Sequence, residues 1–449
     1  MTPSAPLREP GDRVRLALAI VRKRRRCLAL WHRRVTRSPQ SRTRSLYWMP
    51  SFLKRHLNRT AKEAAKHCFN VAEALRTEAV ATGDLADARM LYRLAMRGGG
   101  DRSLRARARE RLLLMICQRP PLPQNEADLQ RTLRAGGYVC RLAPQILRYP
   151  RNAPASETFD RALAPPRGTT AALDGALPDG MLRHLQRAFA PSSPFWREHG
   201  YRCGLRRSPF FSYVHSLEGP PRCGFDRILR LLQRRAAEAG FAQAAKAKFV
   251  EWWAHCRPHG VGHQLHFDSD DEGNGGVRNP LLSSALYLTG GGIGGPTLVT
   301  NQRMGEARMA TRGWMVMPEE NRYLLFDGKL LHGVVPGRGK ASATAGAQTR
   351  GGSGRRISLM VAYWHSIEQR QSSIPCAARP FPYKRSPSIT WPTLFDWPLA
   401  DDADAAGAAA AAISVAPRPV APVWVATDGD TSTTGRSMPE YDECFQGLC

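Results

Sequence analysis

The segment His263-Gln264-Leu265-His266-Phe267-Asp268-Ser269-Asp270-Asp271-Glu272 concentrates residue types that bind metals. Side chains two positions apart on a β-strand share a face. A strand through this segment therefore puts His266 and Asp268 on one side and Phe267 on the other. An imidazole and a carboxylate in that relation are two corners of a metal site. A third ligand must come from elsewhere, and His332 is placed for it. The run Leu324-Leu325-Phe326-Asp327-Gly328-Lys329-Leu330-Leu331-His332-Gly333-Val334-Val335-Pro336 reads as an apolar strand, a turn and a histidine at the start of another strand.

Two histidines and one carboxylate on one triangular face leave metal positions open. This is the facial triad of non-haem Fe(II) chemistry, in which the open positions take a chelating co-substrate and dioxygen. Farther on, Arg355-Arg356-Ile357-Ser358-Leu359-Met360-Val361-Ala362-Tyr363-Trp364 reads as a strand with Arg356 and Ser358 on one face. A guanidinium beside a hydroxyl suits the far carboxylate of a dicarboxylic acid, held in a charge-assisted grip. The choice of Arg356 over Arg355 rests on strand phase alone. A competing cluster, Cys256, His259, His263 and His266, has the spacing Cys-x2-His-x3-His-x2-His. It resembles structural zinc spacings and would take His266 away from Asp268.

The elements that must carry these residues follow from periodicity and punctuation. From about Phe210 to Trp364, branched and aromatic residues sit in short runs separated by Gly, Pro, Asn and Asp. The runs are Phe210–Val214, Lys248–His255, His263–Phe267, Leu281–Thr289, Pro296–Thr300, Gly313–Met317, Arg322–Phe326, Leu330–Val335 and Ile357–Trp364. Such runs predict a β-sandwich or barrel. Helices are expected around Pro178–Phe189 and over Asp226–Ala239. Residues 61–118 read as helical, with one helix ending at Gly98-Gly99-Gly100 and another from Asp101 to about Cys117. The expected organisation is a basic leader over 1–60, a helical segment over 61–118, a linker over 119–166, a catalytic domain over 167–366 and a Pro/Ala-rich acidic tail over 367–449. The last fifty residues of that tail read as disordered.

Composition narrows the class. The chain has 449 residues, 42% hydrophobic and 23% charged, which is ordinary for globular proteins. No apolar run approaches the ~20 residues of a membrane-spanning helix. Ten cysteines without a Cys-x-x-Cys pair exclude a disulfide scaffold and a zinc ribbon, and suggest a reducing compartment. The net charge of +28 is lopsided: residues 1–150 hold 32 Lys+Arg against 11 Asp+Glu. Arg13 to Lys62 contains sixteen basic and no acidic residues, with Ser, Thr and Arg alternating over Arg33–Ser45. That is the composition of an organellar (plastid or mitochondrial) transit peptide. A plain basic arm and a nucleic-acid contact are the alternatives.

The order His-x-Asp, then Asp-Gly-x3-His-Gly-Val, then Arg-x-Ser resembles the 2-oxoglutarate- and Fe(II)-dependent oxygenases of the prolyl-hydroxylase-like class. The resemblance extends to Leu282–Thr289 and to Gly294-Gly295-Pro296-Thr297, and covers roughly residues 200–366. It implies a mainly β fold with flanking helices, a double-stranded β-helix (jelly roll, cupin-like), beside the N-terminal helical segment. It implies Fe(II) on His266, Asp268 and His332, and 2-oxoglutarate as co-substrate held by Arg356 with Ser358 and lined by Tyr287. Ascorbate is implied as an accessory reductant. The activity implied is hydroxylation of a C–H bond on a peptide, protein side chain or small molecule, with dioxygen consumed and succinate and CO2 released. Arg356 follows His332 by 24 residues, a long gap filled by the Gly/Ala/Ser/Thr-rich insert Gly337–Gly354. The second arginine of the nucleic-acid dealkylase branch is replaced by Ala362, or by Val361 if counted from Arg355, which argues against a nucleic-acid substrate. A catalytically inactive jelly roll and a basic nucleic-acid-binding protein are the competing readings.

Overall fold

The structure is a computed structural model that describes residues 51–77, 86–97, 102–119, 123–150, 161–201, 210–270, 278–306, 308–338, 355–367, 378–383, 389–396, 412–427 and 436–438. Most of the expected leader, residues 1–50, lies outside them, as do the acidic stretch 401–411 and the Gly98-Gly99-Gly100 helix end. The described chain folds as two units, a helical one ending at Ile116 and a larger one beginning at Cys117.

The first unit consists of α1 (Ser51–Thr77), α2 (Ala86–Arg97) and α3 (Arg102–Cys117). In α2, Ala88, Leu91, Tyr92 and Ala95 recur at helical spacing and all four are buried, as an amphipathic stripe requires. Glu73 is buried in this unit among Arg76, Arg111 and the Tyr92 hydroxyl. Burial pushes its carboxyl up, but the two guanidiniums outweigh that and hold it below its ordinary value. Helix α1 begins at Ser51, inside the stretch expected to be leader.

The larger unit opens where the sequence suggests a linker. Residues 119–166 instead carry α4 (Pro123–Gly136), β1 (Tyr138–Leu142) and a short helix, Pro144–Leu147. Leu129 and Leu133, one turn apart, are buried, as are Leu142, Ile146 and Leu147. The many Arg and Ala residues around them mask this spacing in the composition.

Then come β2 (Thr170–Asp174), α5 (Asp179–Ala188), β3 (Ser212–Ser216), α6 (Gly224–Glu238), β4 (Phe249–Pro258), β5 (His263–His266) and β6 (Leu282–Tyr287). After them run β7 (Thr297–Arg303), β8 (Gly313–Val316), β9 (Arg322–Asp327), β10 (Leu330–Val334) and β11 (Arg355–Trp364). Short strands follow: β12 (Ala378–Pro380), β13 (Ile413–Val415), β14 (Arg418–Val420), β15 (Trp424–Ala426) and β16 (Arg436–Met438).

The larger sheet has the order β12-β3-β4-β11-β6-β9-β2-β13 and the smaller β14-β8-β7-β10-β5. From β4 to β11 the chain crosses between the sheets at every step except the β7–β8 hairpin, and every pairing is antiparallel. This winding is a double-stranded β-helix, the jelly roll implied by the resemblance.

Strand β11 shows how the sequence specifies two faces. Ile357, Leu359, Val361 and Tyr363 pack on one side with Trp252 and Leu286, against Leu185 and Phe189 around α5 and Ile228, Leu229 and Leu232 of α6. Met360, on the alternate side, packs with Ala285, Val299, Leu324 and Leu330 between the two sheets. Period-two alternation thus separates a helix-covered face from an inner face. Arg356, Ser358 and Ala362 belong to the inner face.

The expected disordered tail is corrected in its described parts. Within the last fifty residues β13 pairs with β2 and β14 with β8, and upstream of them β12 pairs with β3, each extending a sheet edge. β15 and β16 flank β1 in a separate three-stranded sheet. Strands of three residues paired with distant partners leave no local periodicity to read. Among the described residues no helix is long and apolar enough to cross a membrane.

Candidate metal centre

His266 and His332 are register partners in the β5–β10 ladder. Residues directly opposite in an antiparallel pair share a face, and the two imidazole centroids stand 4.3 Å apart. Asp268 lies two residues beyond β5, so strand alternation is not what aims it. Its main-chain oxygen accepts from Asn279 Nδ2 at 2.8 Å, and its Oδ2 accepts from the Ser283 hydroxyl at 2.7 Å. Oδ1 is thereby turned toward the histidines, 3.4 Å from His266 Nε2 and 3.6 Å from His332 Nε2. One ligand atom from each of the three residues lies within 4.8 Å of the other two. Neighbouring donors around an ion with bonds of ~2.1 Å stand roughly 3 Å apart, a little closer than here.

The hydrogen bonds set the tautomers. His266 Nδ1 faces the Gln264 carbonyl at 2.9 Å, and His332 Nδ1 faces the Leu330 carbonyl at 3.0 Å. A carbonyl only accepts, so each Nδ1 carries the proton and each Nε2 keeps a lone pair for the centre. His332 Nε2 is buried without a hydrogen-bond partner, although the residue is only 3% exposed. An orphaned acceptor beside a carboxylate is what a cation would satisfy.

Charge states agree with this. Burial pushes His332 down to about 4, so it is neutral near pH 7. Burial alone would raise the Asp268 carboxyl. The imidazoles of His332 and His266 and the Ser283 hydroxyl outweigh burial and hold it well below the usual carboxylate range. Neutral imidazoles and an ionised carboxylate are the forms that bind metal. The Phe326 ring packs 4.5 Å from His332 and walls the centre on its inner side.

Strand phase separates the two arginines. Ser358 is register partner to Tyr287, and Arg356 stands two residues from Ser358 on the same inner face, only 2% exposed. Arg355 rises from the opposite face. The Tyr287 hydroxyl bonds Thr297 Oγ1 at 2.7 Å, which ties it to the Gly-Gly-Pro-Thr turn. Gly294 in that turn has φ +85°, and a Cβ there would stand 2.9 Å from Arg356 Cδ. The turn therefore needs glycine for its backbone and for the arginine stem. Arg356 makes one long hydrogen bond, from Nη1 to the Gly295 carbonyl at 3.5 Å, and its Nε is buried without a partner.

The competing zinc cluster does not assemble. Cys256 faces the helix-covered core. His259 Nδ1 accepts from the Gly294 N–H at 2.9 Å, and its Nε2 faces the Arg338 carbonyl at 3.2 Å, so its ring braces two loops. Among the described residues the triad is the one group found with metal-ligand geometry. Asp270 is not a free acidic contact either, since its carboxylate pairs with Arg278 at 2.7 Å.

Sequence reasoning missed part of the wall. Glu251, Trp253, His255 and Arg257 alternate on β4 and face inward, opposite Ala362, Met360, Ser358 and Arg356. The period-two signal was present, with Val250, Trp252, Ala254 and Cys256 as its apolar counterpart. His255 and His263, with ring centroids 5.4 Å apart, continue from His266, which lies 4.7 Å from His263. Burial pushes both far down, with Arg257 adding to the effect, so both are neutral.

In strand order, in the His-x-Asp pair closed by a distant histidine and in the inward Arg356, the chain resembles the 2-oxoglutarate- and Fe(II)-dependent oxygenases of the prolyl-hydroxylase-like class. No family model and no curated protein matches the sequence. Similar solved structures include a prolyl-4-hydroxylase from Pseudomonas putida, 17% identical, covering 44% of this chain and 94% of its own, with a TM-score of 0.28. A prolyl 4-hydroxylase from Phytophthora capsici is 14% identical, covering 46% and 64%, with a TM-score of 0.27. HygX from Streptomyces hygroscopicus, solved with nickel and 2-oxoglutarate bound, is 13% identical, covering 47% and 91%, with a TM-score of 0.25.

Proposed function

We propose that this protein is an Fe(II)- and 2-oxoglutarate-dependent dioxygenase that hydroxylates a C–H bond of a peptide or protein side chain, or of a small molecule. The observation that carries the reading is the convergence of His266 Nε2, His332 Nε2 and Asp268 Oδ1, with His332 Nε2 buried and unpartnered. The donor set of two imidazoles and one carboxylate fits Fe(II) and leaves positions open. Bound there, the metal would supply dioxygen activation coupled to decarboxylation of 2-oxoglutarate to succinate and CO2, the second oxygen atom ending as a hydroxyl on the substrate.

The chain's own residues do the positioning. Gln264 and Leu330 hold the imidazoles in the metal-binding tautomer through their carbonyls, and Ser283 holds the carboxylate. Arg356, which pairs with no carboxylate among the described residues, is an anchor for the far carboxylate of the co-substrate. Ser358 and Tyr287 share its face of the sheet. Phe326 and Leu330 keep the inner side of the centre apolar.

The test uses the full chain without oxygen. Fe(II) followed by 2-oxoglutarate should give the visible absorption of an iron-bound 2-oxo acid. His266→Ala and Asp268→Ala should abolish it. Arg356→Ala should lose it at equal 2-oxoglutarate, and Arg355→Ala should keep it. Admitting oxygen should yield succinate in the wild type and not in the triad variants. A wild-type chain that binds Fe(II) but shows no such absorption with 2-oxoglutarate overturns the proposal.

A further inference from the structure

One cation of the inner wall is not used by that reading. Arg257 stands directly opposite Arg356 in the β4–β11 ladder. Register partners share a face, so both arginine stems rise from the inner face at one end of the sheet. Among the described residues Arg257 makes no hydrogen bond or ion pair, and its Nε, like that of Arg356, is buried without a partner. Arg356 is 2% exposed and Arg257 half-buried; like charges opposite each other on a sheet repel, and burying a guanidinium without a counter-ion is costly. Burial, with Arg257 adding to it, pushes Arg356 down to about 10. The groups around the pair relieve little of this. Tyr287, Tyr201 and Tyr149 are phenols, and His255 and His263 are imidazoles that offer no negative charge.

We propose that Arg257 is a second carboxylate-binding guanidinium, closing together with Arg356 on the far carboxylate of the diacid co-substrate. The inference rests on the proposed function and deepens it. A carboxylate offers about four lone-pair sites and a guanidinium presents a planar fork of N–H donors. Two forks can therefore share one carboxylate without competing for the same sites. The anion supplies the charge that the pair lacks, so the repulsion that costs stability in the empty pocket becomes affinity in the filled one.

The experiment measures binding, not turnover. The full chain is loaded with Mn(II) in place of iron and titrated calorimetrically with 2-oxoglutarate and with 2-oxobutyrate, which has the same chelating head and no far carboxylate. Arg257→Gln should weaken 2-oxoglutarate at least fivefold and leave 2-oxobutyrate within twofold of wild type. Its melting temperature without ligand should equal or exceed that of wild type, because a repulsion has been removed. If Arg257→Gln does not fold, Arg257→Lys keeps the charge without the fork and should still weaken 2-oxoglutarate at least threefold. A smaller loss for 2-oxoglutarate, or an equal loss for both acids, overturns this inference alone. Absence of 2-oxoglutarate binding to Mn(II)-loaded wild type overturns it together with the proposed function.

Discussion

The Ser283 hydroxyl donates to Asp268 Oδ2 at 2.7 Å, and this contact orients the carboxylate of the candidate metal site, which no strand holds. His266 and His332 are fixed by the β5–β10 ladder, whereas Asp268 sits in the loop that follows β5. Ser283 belongs to β6, in the other sheet. The triad is thus completed by a bond from one sheet to a loop leaving the other.

Ser283→Ala removes that donor without changing any proposed ligand. Outer hydrogen bonds of this kind are worth about 10–100-fold in metal affinity. The variant should bind Mn(II) or Co(II) weaker by that factor in a calorimetric titration, with its melting temperature without metal close to wild type. Unchanged affinity would show that Asn279 and the loop backbone suffice to aim Asp268.

Gly294→Ala tests the turn under the arginine. The new Cβ would meet Arg356 Cδ at 2.9 Å on a backbone with φ +85°, so the arginine stem or the turn must move. Left-handed backbone and steric shift together should cost about 1–2 kcal/mol of stability. The sharper expectation is selective: 2-oxoglutarate binding to the Mn(II)-loaded protein falls at least tenfold while Mn(II) affinity stays within twofold. Equal loss of both would mean that the turn supports the whole site and not the arginine alone.

Much of this centre was legible before the structure, because period-two alternation and turn residues are local signals. Runs such as Leu282–Tyr287 and Arg355–Trp364 announced their strands, and Arg356 and Ser358 fell on the inner face by phase. Asp268 reaches the site for a different reason from the one alternation suggests, since β5 ends at His266 and Ser283 does the aiming. Arg257 and His255 went unremarked because they are ligand-like residues in no motif, visible only once β4 lies beside β11. The structured parts of the supposed linker and tail were hidden for a related reason. Among the described residues β1 pairs with β15 and β16 alone, so neither segment carries the signal without the other.

Beneath the larger sheet, Asp226 is the hub of a polar network whose removal should destabilise the domain without touching the candidate metal centre directly. Trp252 Nε1 donates to His215 Nε2 at 2.9 Å, so His215 Nδ1 carries the proton and donates to Asp226 Oδ1 at 2.5 Å. The Arg222 N–H donates to Asp226 Oδ2 at 2.7 Å, and the Tyr383 hydroxyl also reaches the carboxylate. Asp226→Ala strands these buried donors and should cost about 3–5 kcal/mol. Denaturant unfolding followed by tryptophan fluorescence measures it. His215→Ala in the Asp226→Ala background should cost markedly less than in wild type, because the pair acts as a unit. Equal costs in both backgrounds would mean that the two side chains are not coupled.

Glu251 gives the protein a pH dependence of known sign. It lies on the inner face of β4, 8% exposed, and accepts from Trp364 Nε1 at 3.1 Å. Burial pushes its carboxyl up from 4.5 to about 7. A carboxyl with a raised folded-state value favours the fold fully below 4.5. That contribution is lost as pH rises through about 7, because ionisation is easier in the unfolded chain. The interval sets a ceiling of about 3 kcal/mol. Glu251→Gln keeps an acceptor for Trp364 and cannot ionise. The variant should gain stability on wild type as pH rises from 4.5 to 8, by about 1–3 kcal/mol over that range, as read from paired urea unfolding curves. Groups remote from Glu251 titrate alike in both proteins, so the difference between the curves reports Glu251 and the carboxylates coupled to it, Asp268 and Asp270. A difference that stays flat across this range would mean that Glu251 titrates like a carboxyl in water.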